Sequence, residues 1–200
     1  MAFPRTDAGA FRRIRQRLQD DIGALIDSSR TIAPVEGSAP FWALARALFP
    51  IAESIGDLVF RSDGTSENLI KALEELDAIR NGYNGKAAII ALLYRHSLTH
   101  TDEVRKLRTR HRVVGWRLAF DEPAEHLKVE YREGTAIVGF DLTTFYDDLV
   151  SLCRTLEKRE MHGKAIKRYK SWTELDLVAK TKLSKAEKQT LKEINKLVGE

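Results

Sequence analysis

A mainly α-helical fold with one small antiparallel β-meander is predicted by three features of this 200-residue chain. Apolar residues recur at helical spacing through most of the first 94 positions. The period then drops to two over residues 127–132, where Leu127, Val129 and Tyr131 alternate with Lys128, Glu130 and Arg132. Helical spacing returns at Leu142, Phe145, Leu149, Leu152 and Leu156.

The first helix is expected to run from Asp7, as its N-cap, to about Ser28, with Phe11, Ile14, Leu18, Ile22, Leu25 and Ile26 inward. Pro34 and Gly37 make the next stretch a loop. A second helix starts near Ser38 and tolerates Pro40 in its first turn. Its stripe is Phe41, Leu44, Leu48, Ile51, Ile55, Leu58 and Val59, kinked at Pro50. After the Asp63-Gly64 turn, Ser66 is placed to cap a third helix reaching about Arg80. Asn81-Gly82 and Asn84-Gly85 then punctuate the chain. A fourth helix covers Lys86 to Thr99, burying Ala87, Ile90, Leu93 and Tyr94. Strands are expected at residues 113–120, 127–132 and 135–140, the last two joined by a Glu133-Gly134 turn. Asp141 caps the helix that follows. Residues 158–170 read as a linker or an extension of that helix, and Ser184-Lys185-Ala186-Glu187 as a capping box opening a last one. Leu191, Ile194 and Leu197 would face inward there. The organisation is thus a helical domain over residues 1–160, its meander at about 113–141, then a basic linker and C-terminal helix over 161–200.

Cys153 is the only cysteine, which excludes an intrachain disulfide framework and favours a reducing compartment. The first residues lack the apolar run of a leader, and the apolar stretch from Ala87 to Tyr94 is too short to span a bilayer. A cytoplasmic protein with no membrane partner is expected. The net charge of +4 is uneven: residues 151–200 hold thirteen Lys/Arg and seven Asp/Glu, or +6, leaving −2 for the rest. Two further basic clusters, Arg12, Arg13, Arg15 and Arg17, then Arg105, Lys106, Arg108, Arg110 and Arg112, have the composition that attracts phosphate backbones. The same clusters also suit solvated helix faces with nearby counter-charges. His126 and His162 read as surface residues. Trp42, Trp116 and Trp172, with Phe41, Tyr94 and Tyr131, read as packing rather than base-stacking platforms.

The segment Tyr94-Arg95-His96-Ser97-Leu98-Thr99-His100 ends the fourth helix. It places a permanent cation within reach of two groups that titrate near neutral pH, a combination suited to metal-free phosphate chemistry. Arg95, the polar His96, Leu98 and His100 in this order resemble the signature of the HEPN superfamily, helical-bundle proteins many of which are metal-independent RNases. The resemblance spans about half the chain, from the second helix through the one after Asp141. It implies a HEPN-like helical bundle, with the β-meander inserted after the motif helix. It also implies a homodimer whose two motifs face one cleft, RNA as substrate, no cofactor, and a toxin or phage-defence role with a possible cognate antitoxin. One His100 would take the 2′-OH proton while Arg95 steadies the phosphate oxygens, with His96 and Thr99 in support and the 105–112 cluster holding RNA. A second Arg-to-His spacing, Arg105 to His111, lies in a charge-rich stretch without helical period.

Other readings of the same residues stay open. His96 and His100 are four apart, a spacing used by zinc, with Asp102, Glu103 or His111 as a third ligand of no diagnostic spacing. Ser97 stands where a zincin protease needs its Glu. Arg95 and His100 also suit a helix C-terminus as simple cations. Two rivals follow: a non-catalytic HEPN-like module binding nucleotide, RNA or a partner, and a regulator using two capped segments near Ser171 and Ser184 on nucleic acid. There is no P-loop, dinucleotide glycine fingerprint or nucleophile elbow.

Overall fold

Seven α-helices and a four-stranded mixed sheet make up the described part of the computed structural model, residues 4–32, 39–62, 64–95, 106–108, 110, 112–173 and 188. The mainly helical expectation therefore holds. The N-terminal helix does not run uninterrupted: α1 (Asp7–Arg17) passes through a π-helical turn (Leu18–Gly23) into α2 (Ala24–Ile32). Ile14, Leu18, Ile22 and Ile26 explain the widening, since all four are buried. A strict four-residue repeat drifts about 40° per step around an α-helix, and a wider turn brings it back to the core side. Thr6, not Asp7, caps α1, its Oγ1 accepting the Gly9 N–H at 3.1 Å.

Helix α3 (Ala39–Val59) carries Pro50 internally, as expected, and crosses α4 (Thr65–Leu76) closely. At the crossing a Cβ on Gly56 would sit 1.9 Å from the Asn68 carbonyl oxygen, so backbone meets backbone. Gly64 occupies the N-cap of α4, which leaves Ser66 free of the capping role expected for it. Helix α5 (Ala87–Tyr94) begins as anticipated, and Arg95 continues its backbone geometry.

The sheet corrects the antiparallel meander. Strands β1 (Leu107–Arg108), β2 (Val113–Ala119), β3 (Val129–Arg132) and β4 (Thr135–Asp141) lie in the order β1-β2-β4-β3. β2 and β4 are parallel, paired from Val113 with Thr135 to Ala119 with Asp141. Only β1–β2 and the β3–β4 hairpin are antiparallel. The physical reason lies in the connection after β2. Left-handed residues Asp121 and Leu127 flank a 3-10 turn (Pro123–Glu125), and the chain crosses the end of β4 instead of folding back on β2. It crosses over Gly139, where a Cβ would lie 2.2 Å from the Glu125 carbonyl oxygen. The apolar strands β2 and β4 take the interior, and β3 takes an edge where Tyr131 is 71% exposed rather than packed.

Asp141 ends β4 and caps α6 (Leu142–Leu156), accepting the Thr144 N–H at 2.8 Å. The stretch from 158 to 170 is neither an open linker nor a continuation of α6. His162 and Gly163 take positive φ and α7 (Lys164–Thr173) starts anew, packing on α1 and α3. Asp7 holds the head of α7 through the Gly163 and Ile166 N–H groups at 2.7 and 2.8 Å. Layers meet at Phe49 of α3, which stacks on Tyr94 at 4.4 Å and touches the rings of Trp116, Phe140 and Phe145. Among the described residues no helix is long and apolar enough to cross a membrane.

Candidate functional site

Arg95 is positioned by three helices. The sequence Ala-Ala-Ile-Ile-Ala-Leu-Leu-Tyr makes α5 apolar on nearly every side, so it packs against α4 with most of its residues buried. Tyr94 is locked by its stack on Phe49, and the next residue, Arg95, is half-buried. Its Nη1 donates to Ser66 Oγ in the first turn of α4. Glu53 of α3 lies close enough to feel the guanidinium. Burial pushes the Glu53 carboxyl above its usual pKa, Arg95 opposes this, and Asp57 adds to it. A cation steadied by a hydroxyl can hold an anionic oxygen at the end of α5, with the Glu53 carboxyl as its competitor when ionised.

His96, Thr99 and His100 lie outside the described residues, as does Arg105. Lys106, Arg108, Arg110 and Arg112 are exposed along the β1–β2 hairpin. What the fold brings to Arg95 is Ser66 and Glu53, neither of which the sequence marked as a site residue. Ser66 was legible only as a cap. Glu53 had a weak signal, an acidic residue between the stripe positions Ile51 and Ile55. Among the described residues no three His, Cys, Asp or Glu converge in a metal-binding group. The His96–His100 pair and the ligands considered with it, Asp102, Glu103 and His111, lie outside them.

A second polar cluster corrects the surface reading of His126. Its side chain is 1% exposed and joins Tyr83 and Asp148, the latter 4% exposed. The Tyr83 hydroxyl donates to Asp148 Oδ2 at 2.9 Å, so its oxygen accepts from His126 Nε2 at 2.8 Å. His126 Nδ1 then accepts the Asp141 N–H at 3.1 Å, which assigns the neutral Nε2–H tautomer. Arg80 Nε completes the cluster on Asp148 Oδ2 at 2.8 Å. These groups are shut from solvent apart from Arg80, and the cluster ties the sheet to the helices. No sequence pattern announced it, because its members come from the turn after α4, the segment before β3, the end of β4 and helix α6.

The cluster carries a pH dependence. Burial lowers the His126 pKa to about 4, with Arg80 acting the same way and Asp148 and Asp141 opposing. Unfolded, the imidazole titrates at about 6.5. Between these values the unfolded chain binds the extra proton, so the neutral His126 contribution is full above about pH 6.5 and is lost as pH falls towards 4. The difference amounts to roughly 3 kcal/mol across the window. Urea midpoints measured from pH 7.5 to 4.5 should fall more steeply for wild type than for His126→Asn, carboxylates common to both cancelling. Parallel slopes would refute the assignment.

Comparison of the chain with protein-family models, with curated proteins and with solved structures finds no match.

Proposed function

We propose that the protein is a metal-independent endoribonuclease of HEPN-like architecture, with Arg95 and His100 as its catalytic residues. The observation that carries the reading is the preparation of Arg95. It ends a buried apolar helix, and its guanidinium is held by the Ser66 hydroxyl in the first turn of α4. On this reading α3 to α6 supply the core of the bundle and the mixed sheet is its elaboration.

In the proposed reaction His100 takes the proton from a ribose 2′-OH as that oxygen bonds to phosphorus. The bond from phosphorus to the 5′-oxygen breaks, and His100 of the partner subunit returns a proton to that oxygen. Arg95 neutralises the charge gathering on the non-bridging oxygens. The products are a 2′,3′-cyclic phosphate and a 5′-OH end, and DNA is not cut. The exposed cations of the β1–β2 hairpin, Lys106, Arg108, Arg110 and Arg112, hold the RNA backbone, together with Arg105. Such an activity needs a homodimer, because one copy supplies one His100. It suits a toxin or phage-defence effector held in check by an antitoxin.

Purified protein with EDTA should cleave total cellular or transfer RNA to cyclic-phosphate ends. Arg95→Ala and His100→Ala should each lower the rate by about 100-fold or more while remaining folded and dimeric. Cleavage only with added metal would overturn the mechanism. RNA binding without cleavage by wild type would favour the non-catalytic HEPN-like module instead.

A further inference from the structure

The two ends of the described chain are strongly basic, and the fold lays them side by side. Residues 5–17 hold five Arg against one Asp, and residues 154–170 hold seven Lys/Arg against two Glu. Together they carry +9 in a chain whose total is +4. α1 and α7 run in the same direction. Asp7 at the head of α1 binds the head of α7, and further along Ile14 and Arg17 share a groove with Tyr169 and Trp172.

The acids in these stretches are largely spent on structure. Asp7 caps α7, and Glu157 at the end of α6 takes Arg15 at 2.6 Å and Arg12 at 3.5 Å. Most of the cations remain outward. Arg12 is 60% exposed and Arg17, loosely paired at 3.9 Å with Asp21 on the groove lining, 69%, and Arg5, Lys158, Lys164 and Lys167 are exposed as well. Among the described residues no carboxylate lies within 4.0 Å of Lys158, Lys164 or Lys167.

At the far end of this basic surface the groove opens between α1, the π turn, α3 and α7, with a volume of about 470 Å³. Its rim carries Trp172, 41% exposed, with Tyr169 at 6.0 Å between ring centroids. The indole is fixed, because its Nε1 donates to Asp57 Oδ2 at 2.8 Å. Helix α7 is itself anchored by Arg168, whose Nη1 donates to the Asp57 and Leu58 carbonyls at the end of α3.

We infer that the α1–α7 face is a binding site for single-stranded nucleic acid, its phosphates on the cations and a base against Trp172. A row of cations leading to a rigid exposed aromatic is the arrangement that unpaired bases use, whereas a duplex hides its base faces. A membrane surface fits less well, because the outward positions of α1 and the first turns of α7 hold cations rather than the apolar side chains that insert into lipid. The face binds and does not cleave. It is separate from the β1–β2 hairpin and binds whether or not Arg95 supports cleavage.

The test uses the full chain and labelled 25-mers of all-deoxythymidine, which a 2′-OH mechanism leaves intact, and of uridine with EDTA. Anisotropy titrations from 50 to 300 mM salt should show both bound more tightly than a 25-base-pair duplex. The triple variant Lys158→Gln, Lys164→Gln, Lys167→Gln should bind about tenfold more weakly, with the slope of log affinity against log salt shallower by about 2. Trp172→Ala should lose about tenfold, and Trp172→Phe, which lacks the Asp57 bond but keeps a ring, should stay within about threefold. A control triple removing the same charge elsewhere, Lys71→Gln, Lys86→Gln, Arg132→Gln, should bind like wild type. The assignment is overturned if both triples lose equally, if the Lys158, Lys164, Lys167 triple binds unchanged, if duplex is preferred, or if phosphatidylserine vesicles added in place of the oligonucleotides are bound and the oligonucleotides are not.

Discussion

Gly56→Ala should destabilise the protein by about 4 kcal/mol, lowering its melting temperature by roughly 10 °C. Two effects compete. Alanine is the better helix residue by about 1 kcal/mol in a helix interior, which would favour the substitution. Against it stands a Cβ 1.9 Å from the Asn68 carbonyl oxygen and 2.7 Å from its carbon. These are main-chain atoms of a packed helix, so no side-chain rotation relieves the overlap and α3 must move off α4. The steric term wins. Gly115→Ala is the matched control, since the Cβ would meet only the flexible Lys106 side chain at 3.5 Å. Its melting temperature should stay within about 3 °C of wild type. A Gly56→Ala protein as stable as that control would show that the crossing is looser than described. The site should respond too, because Arg95 bonds Ser66 of α4 and couples to Glu53 of α3, so its surroundings depend on the α3–α4 spacing.

The elements with local signals were legible. Asp141 stands before a clean helical stripe, and the Glu133-Gly134 turn joins two strands that do form a hairpin. Pro50 inside α3 was readable for the same reason, since apolar spacing resumes on both sides of it. The sheet order was not legible, because a period of two marks a strand without naming its neighbour. Only the burial of β2 and β4, against exposed β3, shows that the former pair belongs inside. The π turn did leave a trace in the four-residue repeat of Ile14, Leu18, Ile22 and Ile26, which an even α-helix cannot keep on one face. Of the candidate site, Arg95 was visible from its place at the end of an apolar helix. Its neighbours Ser66 and Glu53 were not, because side chains from separate helices meet only through tertiary packing.

Asp148→Ala should cost about 3 kcal/mol, with much of that loss shared with its partners. One carboxylate oxygen receives both Arg80 Nε and the Tyr83 hydroxyl, and the Tyr83 oxygen in turn receives His126. Removing it leaves the Tyr83 hydroxyl only the His126 ring as acceptor, which requires the other tautomer with Nδ1–H on the Asp141 carbonyl at 3.1 Å, while Arg80, 45% exposed, can turn to water. That escape keeps the expected cost at the lower end for a broken buried pair. Tyr83→Phe removes the donor as well as the need for an acceptor, so the double variant should be less destabilised than the sum of the two singles by about 1 kcal/mol or more. Urea unfolding followed by tryptophan fluorescence reads this coupling, and strict additivity would refute a connected network. The consequence reaches α5, because the Tyr83 carbonyl accepts the N–H groups of Lys86 and Ala87 at the head of that helix. Asp148→Ala should therefore disturb the register of Tyr94 on Phe49 and weaken any activity that depends on Arg95, although Asp148 lies in a different element. Asp148→Asn, which keeps an acceptor for Tyr83, should recover most of both losses.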